Sequence, residues 1–309
     1  MDRTHDRPTT IGVLTIVALF AAAAVAITLA HAAGVNDGAR IDTARASWSV
    51  EGIRILSIDA DGPFRDGDVI VPVDGVPVAR YVEHLLHPGR WLSLGEAGAS
   101  QVYTVVRDGE TFDASVAMDN YPLGTMIRGG WDVWLMTFSF FALGMLVFLK
   151  KPGDPAAIPL LLMGTGAAFS TVSFFTVQVP DLLAGWPYLM EIWLQQAGYP
   201  MMLAALLHFC LVFPQPLAPL APHRWVVPLV YAIPFGWAGA RMTGAAISGS
   251  ALDVLIALER TWTLPTVLYF VLSLVALGVN WRRTTDPAGR QKVRWVMFGF
   301  GALVGLRLV

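Results

Sequence analysis

Charge and cysteine are what this chain has least of. Of 309 residues, 14% are charged and 55% hydrophobic, and the mean hydropathy is +0.57. Soluble domains carry about 25% charged residues, so the shortage excludes an ordinary soluble protein and points to one built largely for lipid. A net charge of -2, with no basic stripe interleaved with aromatics, leaves no footprint for nucleic acid. The single cysteine, Cys210, excludes an internal disulfide, and no Cys/His spacing suits zinc. Catalytic signatures are missing too. His84-Leu85-Leu86-His87 has the wrong spacing for a zinc-protease helix and lacks the glutamate between its histidines. There is no Gly-x-Ser-x-Gly elbow and no phosphate-binding Gly-Lys-Ser/Thr loop. A transporter would show broken helices in matching halves, and no convincing repeat is present. No catalytic residue, metal or cofactor is expected within these residues.

What is present is a series of long apolar runs. The first, Ile11 to Ala33, follows Arg3 and Arg7. Ala30-His31-Ala32 has the small-residue spacing of a signal-peptidase site, but the run exceeds the roughly 7–15 residues of a signal h-region, which favours an uncleaved anchor. Further candidate spans are Trp131–Leu149, Ala156–Val177, Tyr188–Phe213, Trp225–Ala240, Trp262–Trp281 and Val293–Val309. Most approach the roughly 20 residues that a bilayer core requires; Trp225–Ala240, short and holding Pro228 and Pro234, is the weakest. With the N-terminus in the cytoplasm, the inner segments carry Arg3, Arg7, Lys150, Lys151, Arg224, Arg282, Arg283, Arg290, Lys292 and Arg294. The short outer loops then carry only Arg241 and Arg260, in keeping with the positive-inside rule. Seven spans would put the C-terminus outside, and the chain stops within an apolar run, so it reads as the N-terminal portion of something longer.

Between Gly34 and Tyr121 charge and strand periodicity return. Gly52 to Ile58 alternates apolar and polar residues like a half-buried strand. Asp61-Gly62-Pro63 and Asp66-Gly67-Asp68 are turn signals. Val69–Val73 reads as a short buried strand, ended by a tight turn at Asp74-Gly75. Tyr81, Val82, Leu85 and Leu86 have the spacing of one helix face. Gln101–Arg107 and Thr111–Met118 alternate across Asp108-Gly109, a hairpin signal.

This order of elements, with Gly67-Asp68-Val69-Ile70 leading to Val73-Asp74-Gly75, resembles a bacterial PDZ domain over about 70 residues. The resemblance implies capture of a peptide or envelope protein by strand addition. Gly67, Asp68, Asp74 and Gly75 would be structural turn residues, and Ile53, Ile55, Tyr81 and Leu85 the walls of a groove. Two features depart from the family. The small-residue helix before the Gly-Asp turn shrinks to Phe64-Arg65, and Ser47-Trp48-Ser49-Val50-Glu51 stands where a glycine-rich carboxylate loop belongs. A plain packing role for the module fits the same residues.

Within the apolar runs three polar side chains stand out, since ionisable groups in a membrane are costly. Glu191 and Gln195 share a helix face near the outer interface. His208 sits near the inner end of the same helix, where a lone histidine suits helix packing or signal coupling better than metal binding. Leu207-His208-Phe209 running to Phe213-Pro214, and Asp286-Pro287-Ala288-Gly289-Arg290-Gln291-Lys292-Val293-Arg294-Trp295, are similar to features of the multi-span input region of bacterial sensor histidine kinases, the quorum-sensing competence kinases among them. That resemblance implies a multi-pass protein of the bacterial cell membrane. It implies a homodimer, a response regulator as partner of the parent protein, and ATP with magnesium only if a kinase domain follows, because no phosphoacceptor helix or ATP-binding box lies in this chain. The fold class expected is an α-helical polytopic membrane protein of about seven spans with an inserted small α+β PDZ-like domain. The divisions are an anchor (1–34), an extracytoplasmic module (35–121) and a helical bundle (122–309). Two rivals stay open: a membrane scaffold that holds a partner peptide, and the input region of another effector, such as a phosphatase or cyclic-nucleotide enzyme.

Overall fold

The computed structural model describes residues 7–41, 48, 52–58, 62–85, 97–151, 153–172, 178–216, 225–248 and 250–307. Every apolar run read from the sequence carries a helix: α1 (Arg7–Ala32), α4 (Trp131–Lys150), α5 (Ala157–Val172), α7 (Trp186–Val212), α8 (Val226–Ser248), α10 (Thr263–Arg283) and α11 (Pro287–Arg307). Among the described residues, three helical stretches are long and apolar enough to cross a membrane: Thr9–Ala32, Trp131–Lys150 and Ala251–Arg283. A turn at Thr261-Trp262 divides the last of these. Their outer faces leave large apolar side chains uncovered, including Leu19, Leu29, Leu135, Leu149, Val267 and Val275. Apolar belts of that extent mark contact with lipid or protein rather than water.

The helix at Trp225–Ala240 differs from expectation. It runs on to Ser248, 23 residues in all, with Pro234 inside it. Pro228 falls in the first turn, where its missing N–H is not needed.

Close approach of backbones holds the bundle together. A Cβ at Gly144 would stand 2.9 Å from the Leu160 carbonyl oxygen, and one at Gly164 would stand 2.8 Å from that of Phe140, so α4 and α5 touch through both glycines. A Cβ at Gly166 would lie 2.6 Å from the Gly198 oxygen, and one at Gly198 would lie 2.6 Å from the Ser170 Cβ, which fixes α5 against α7. Small residues serve helix pairs in this way where the surroundings supply no hydrophobic force of their own.

Between α1 and the bundle lies a small β-rich module. Its strands are β1 (Val35–Asn36), β2 (Ala39–Ile41), β3 (Ile53–Ser57), β4 (Val69–Val73), β5 (Val76–Pro77), β6 (Ser100–Arg107), β7 (Glu110–Ala117) and β8 (Asp119–Asn120), with helix α2 (Val78–Leu85) between β5 and β6. The main sheet has the order β2-β3-β4-β6-β7, with β5 paired to β4. The β6–β7 hairpin is in continuous register from Ser100↔Ala117 to Arg107↔Glu110. Its turn places Asp108 at φ 51° and Gly109 at φ 87°, and the β4–β5 turn places Asp74 at φ 48° and Gly75 at φ 74°. Positive φ at both central residues is the hairpin geometry that Asp-Gly favours. β1 pairs with β8, so the chain enters and leaves the module at one place. A seven-residue helix, α3 (Leu123–Gly129), then leads into α4.

Two connecting helices of the bundle, α6 (Val179–Ala184) and α9 (Ala251–Arg260), pack against α2 of the module. α9 is amphipathic: Ala251, Val254, Leu255 and Leu258 are buried along one face. They share a hydrophobic core with Ile53, Ile55, Ile70, Tyr81 and Val82 of the module and with Val179 and Leu182 of α6.

Candidate functional site

The Gly-Asp turn of the module is tied down by charge. The Arg107 Nε–H donates to Asp68 Oδ1 at 2.8 Å and Nη2 donates to Oδ2 at 2.7 Å. Nη2 also donates to the Pro63 carbonyl at 3.0 Å, and the Arg65 amide donates to Asp68 Oδ2 at 2.8 Å. Burial opposes ionisation of Asp68, but these hydrogen bonds and the nearby arginines outweigh it and hold the carboxyl below its ordinary range. Gly67 adopts φ 92°, a conformation open to glycine at little cost. Asp74, at the other end of β4, accepts from the Val102 amide at 2.8 Å.

The residues expected to wall a groove fall in the core. Ile53 and Ile55 are fully buried on β3, which pairs with β2 on one side and β4 on the other. Tyr81 is buried, and its hydroxyl donates to the Val73 carbonyl at 3.2 Å. Leu85 ends α2, and its side chain lies outside the described residues, as does Ser47–Glu51 apart from Trp48. The terminal strand on this side of the sheet is β2, beyond β3.

That edge is covered by the chain itself. Arg40 of β2 forms an antiparallel bridge with Gln178, and α6 follows directly, packed on both β2 and α2. Val179 is fully buried and Leu182 is 1% exposed. The helix start is closed by Asp181, whose Oδ2 accepts from the Gln178 amide at 2.9 Å. The same oxygen lies 3.4 Å from Nδ1 of His31 at the end of α1. Nearby, Asp37 accepts from the Ala39 amide at 3.0 Å.

Burial pushes the Asp37 carboxyl up to about 7, against hydrogen bonding that favours its charged form. Burial likewise raises Asp181 well above the ordinary carboxylate range, and the charges of Asp37 and Glu191 add to the rise. Glu191, 2% exposed, thus belongs to a polar cluster where α1, α6 and α7 meet the module. A second tie joins module and bundle: the Trp48 indole N–H donates to the Tyr188 hydroxyl in the first turn of α7 at 3.1 Å.

The other polar residues singled out from the sequence lie apart from this cluster. Gln195 is half-buried, whereas its neighbour Gln196 is buried and accepts from the Trp262 indole at 3.1 Å, joining α7 to α10. His208 Nδ1 lies 3.2 Å from the Tyr231 hydroxyl and so links α7 to α8. No group of three or more His, Cys, Asp or Glu residues that could hold a metal ion occurs among the described residues.

The junction was only half visible beforehand. Glu191 is conspicuous in an apolar run, but His31, Asp37, Asp181 and Gln178 carry no local signal. The chain matches no family model, no curated protein and no solved structure.

Proposed function

We propose that this chain is the membrane-embedded input region of a signalling protein of the sensor histidine kinase type, with its PDZ-like module outside the cell. One observation carries this reading. The connections α5–α7 and α8–α10, which a multi-span topology puts on one side of the bilayer, both pack on the module through α6 and α9. The opposite ends of the helices gather elsewhere: Ala156, Val212, Leu277 and Val293 share a separate core, and Lys150, Lys151, Arg282, Arg283 and Arg290 lie at or beside those ends. Cationic ends on one side and the module on the other agree with the positive-inside rule.

A ligand for the module would be felt at once by α1, α7 and α10, which start or end at the junction. It must favour one packing of those helices over another, because equal affinity for both moves no population. Two further cysteines, placed one at a time in a Cys210→Ala background, test the arrangement. Glu110→Cys in the module hairpin should react with a membrane-impermeant maleimide in intact cells, and Asp286→Cys between α10 and α11 only after permeabilisation. Reaction of both from the same side would overturn the receptor arrangement.

A further inference from the structure

We infer that the buried polar junction is a proton-operated latch: Asp37 of the module takes up a proton from outside the membrane to lock the end of α1 against α6 and α7, and gives it up to loosen them. The inference rests on the sensing role proposed above and names external acidity as the stimulus.

The geometry gathers ionisable groups from separate parts of the chain into one place shut off from water. His31 comes from the last turn of α1, Asp37 from the β1–β2 turn, Asp181 from the first turn of α6 and Glu191 from α7, and none is more than 5% exposed. The Tyr103 hydroxyl on β6 faces Asp37 from the sheet. His31 Nδ1 lies 3.4 Å from Asp181 Oδ2, and Asp181 feels the charges of both Asp37 and Glu191. Three carboxyls thus share the neighbourhood of one imidazole. Arg40, the cation nearest to Asp37 in sequence, stands between the buried Ala39 and Ile41 and so on the other face of β2. Among the described residues neither Asp37 nor Asp181 forms an ion pair with a lysine or arginine. Carboxyls crowded together away from water cannot all ionise, so the closed junction needs protons as part of its structure.

Asp37 is the member placed to exchange one. Burial raises its carboxyl to about 7, against the Ala39 amide and the Tyr103 hydroxyl, which favour the charged form. Asn36 and Gly38 on either side of it are only half-buried, which brings water at the module surface close to the carboxyl. The step is a carboxylic acid becoming a carboxylate, with its proton passing to that water. A group whose proton affinity is raised in the closed state favours closure in acid, and that support is lost as pH rises to about 7.

The chain has little slack to absorb the change. Only Ala33 and Gly34 separate α1 from β1, and a Cβ at Gly34 would stand 3.1 Å from the His31 carbonyl oxygen. α6 stays seated: a capping box joins Gln178 and Asp181, and Val179 and Leu182 hold the helix in the shared core. It is the fixed wall against which the end of α1 tightens or loosens, and α1 is long and apolar enough to carry the shift across a bilayer.

The test uses the full chain with Ala33→Cys and Met190→Cys in the Cys210→Ala background, spin-labelled at both exposed positions and held in lipid nanodiscs. Pulsed electron resonance then reads the distance between the end of α1 and the start of α7. The ratio of the close to the distant population should fall at least tenfold between pH 5 and pH 7 and change little beyond. Asp37→Asn should cut that fall to under threefold. A distribution identical at pH 5 and pH 7 without the Asp37 change overturns the inference, and so does an undiminished fall with it. Should Asp37→Asn fail to fold, infrared spectra of the wild type decide: the band of protonated carboxyls should fade over the same interval, and its constancy overturns the inference. The maleimide experiment is independent of this one. Its expected result without any response to pH removes the latch and leaves the receptor arrangement standing.

Discussion

The α5–α7 contact and the α6–module contact are both interfaces of a helix with its surroundings, but they are built in opposite ways. At the first, backbones meet at Gly166 and Gly198 with no space for a side chain. At the second, apolar anchors are mixed with His31, Asp37, Asp181 and Glu191, all nearly inaccessible to water. Packing of the first kind has one well-defined arrangement. Packing of the second kind holds only while each polar group keeps its protonation state and partner. A rigid bundle beside a conditional dock suits the receptor role proposed above, in which a signal originates in one place and travels through another unchanged.

The largest effect expected from this contrast is on pH dependence. Asp37 holds its proton to about pH 7 in the folded chain, while an unfolded aspartate releases it near pH 3.9. The native state therefore binds more protons across that window, and stability falls as pH rises from about 4 to about 7. Each tenfold change in proton affinity corresponds to about 1.4 kcal/mol, so the loss from this group is at most on the order of 4 kcal/mol. Asp181 acts in the same direction. Asp37→Asn should flatten the dependence, and Asp37→Asn/Asp181→Asn should flatten it further, in thermal unfolding followed from pH 4 to 8. A single-mutant profile parallel to wild type would show that Asp37 is ionised in the dock.

Gly166→Leu comes next and strikes the rigid side. Its first side-chain atom would meet the Gly198 carbonyl and the Met202 backbone nitrogen, neither of which turns aside as a flexible side chain does. A cost of about 3 kcal/mol follows from overpacking alone. The loss should appear in unfolding of the bundle and be the same at pH 4 and pH 8, which sets it apart from the dock variants.

Much of this architecture was legible in the sequence, and the reason differs from element to element. The helices at the apolar runs, the Asp74-Gly75 and Asp108-Gly109 turns and the β6–β7 hairpin all follow from local pattern. α9 has a legible apolar face at Ala251, Val254, Leu255 and Leu258, but nothing local says that its partner is α2. β2 is three residues long, too short to alternate visibly, and its role as the sheet edge emerges only when Arg40 meets Gln178. The dock was illegible because each of its residues gains meaning from another far along the chain, as His31 does from Asp181.

A third way to sharpen the contrast lies within the module. Removing the Arg107 side chain leaves Asp68, 2% exposed, without its bidentate partner. Hydrogen bonds to charged groups contribute roughly 1.5–3 kcal/mol, and Arg107 is 21% exposed at its side chain, so about 2 kcal/mol is expected for Arg107→Ala in module unfolding. Because the Asp68 carboxyl sits below its ordinary range, its contribution is complete above about pH 4 and is lost as pH falls through the folded value. That sign is opposite to the sign for Asp37. The module and the dock should therefore weaken at opposite ends of the pH scale, and Arg107→Ala should blunt only the acid limb.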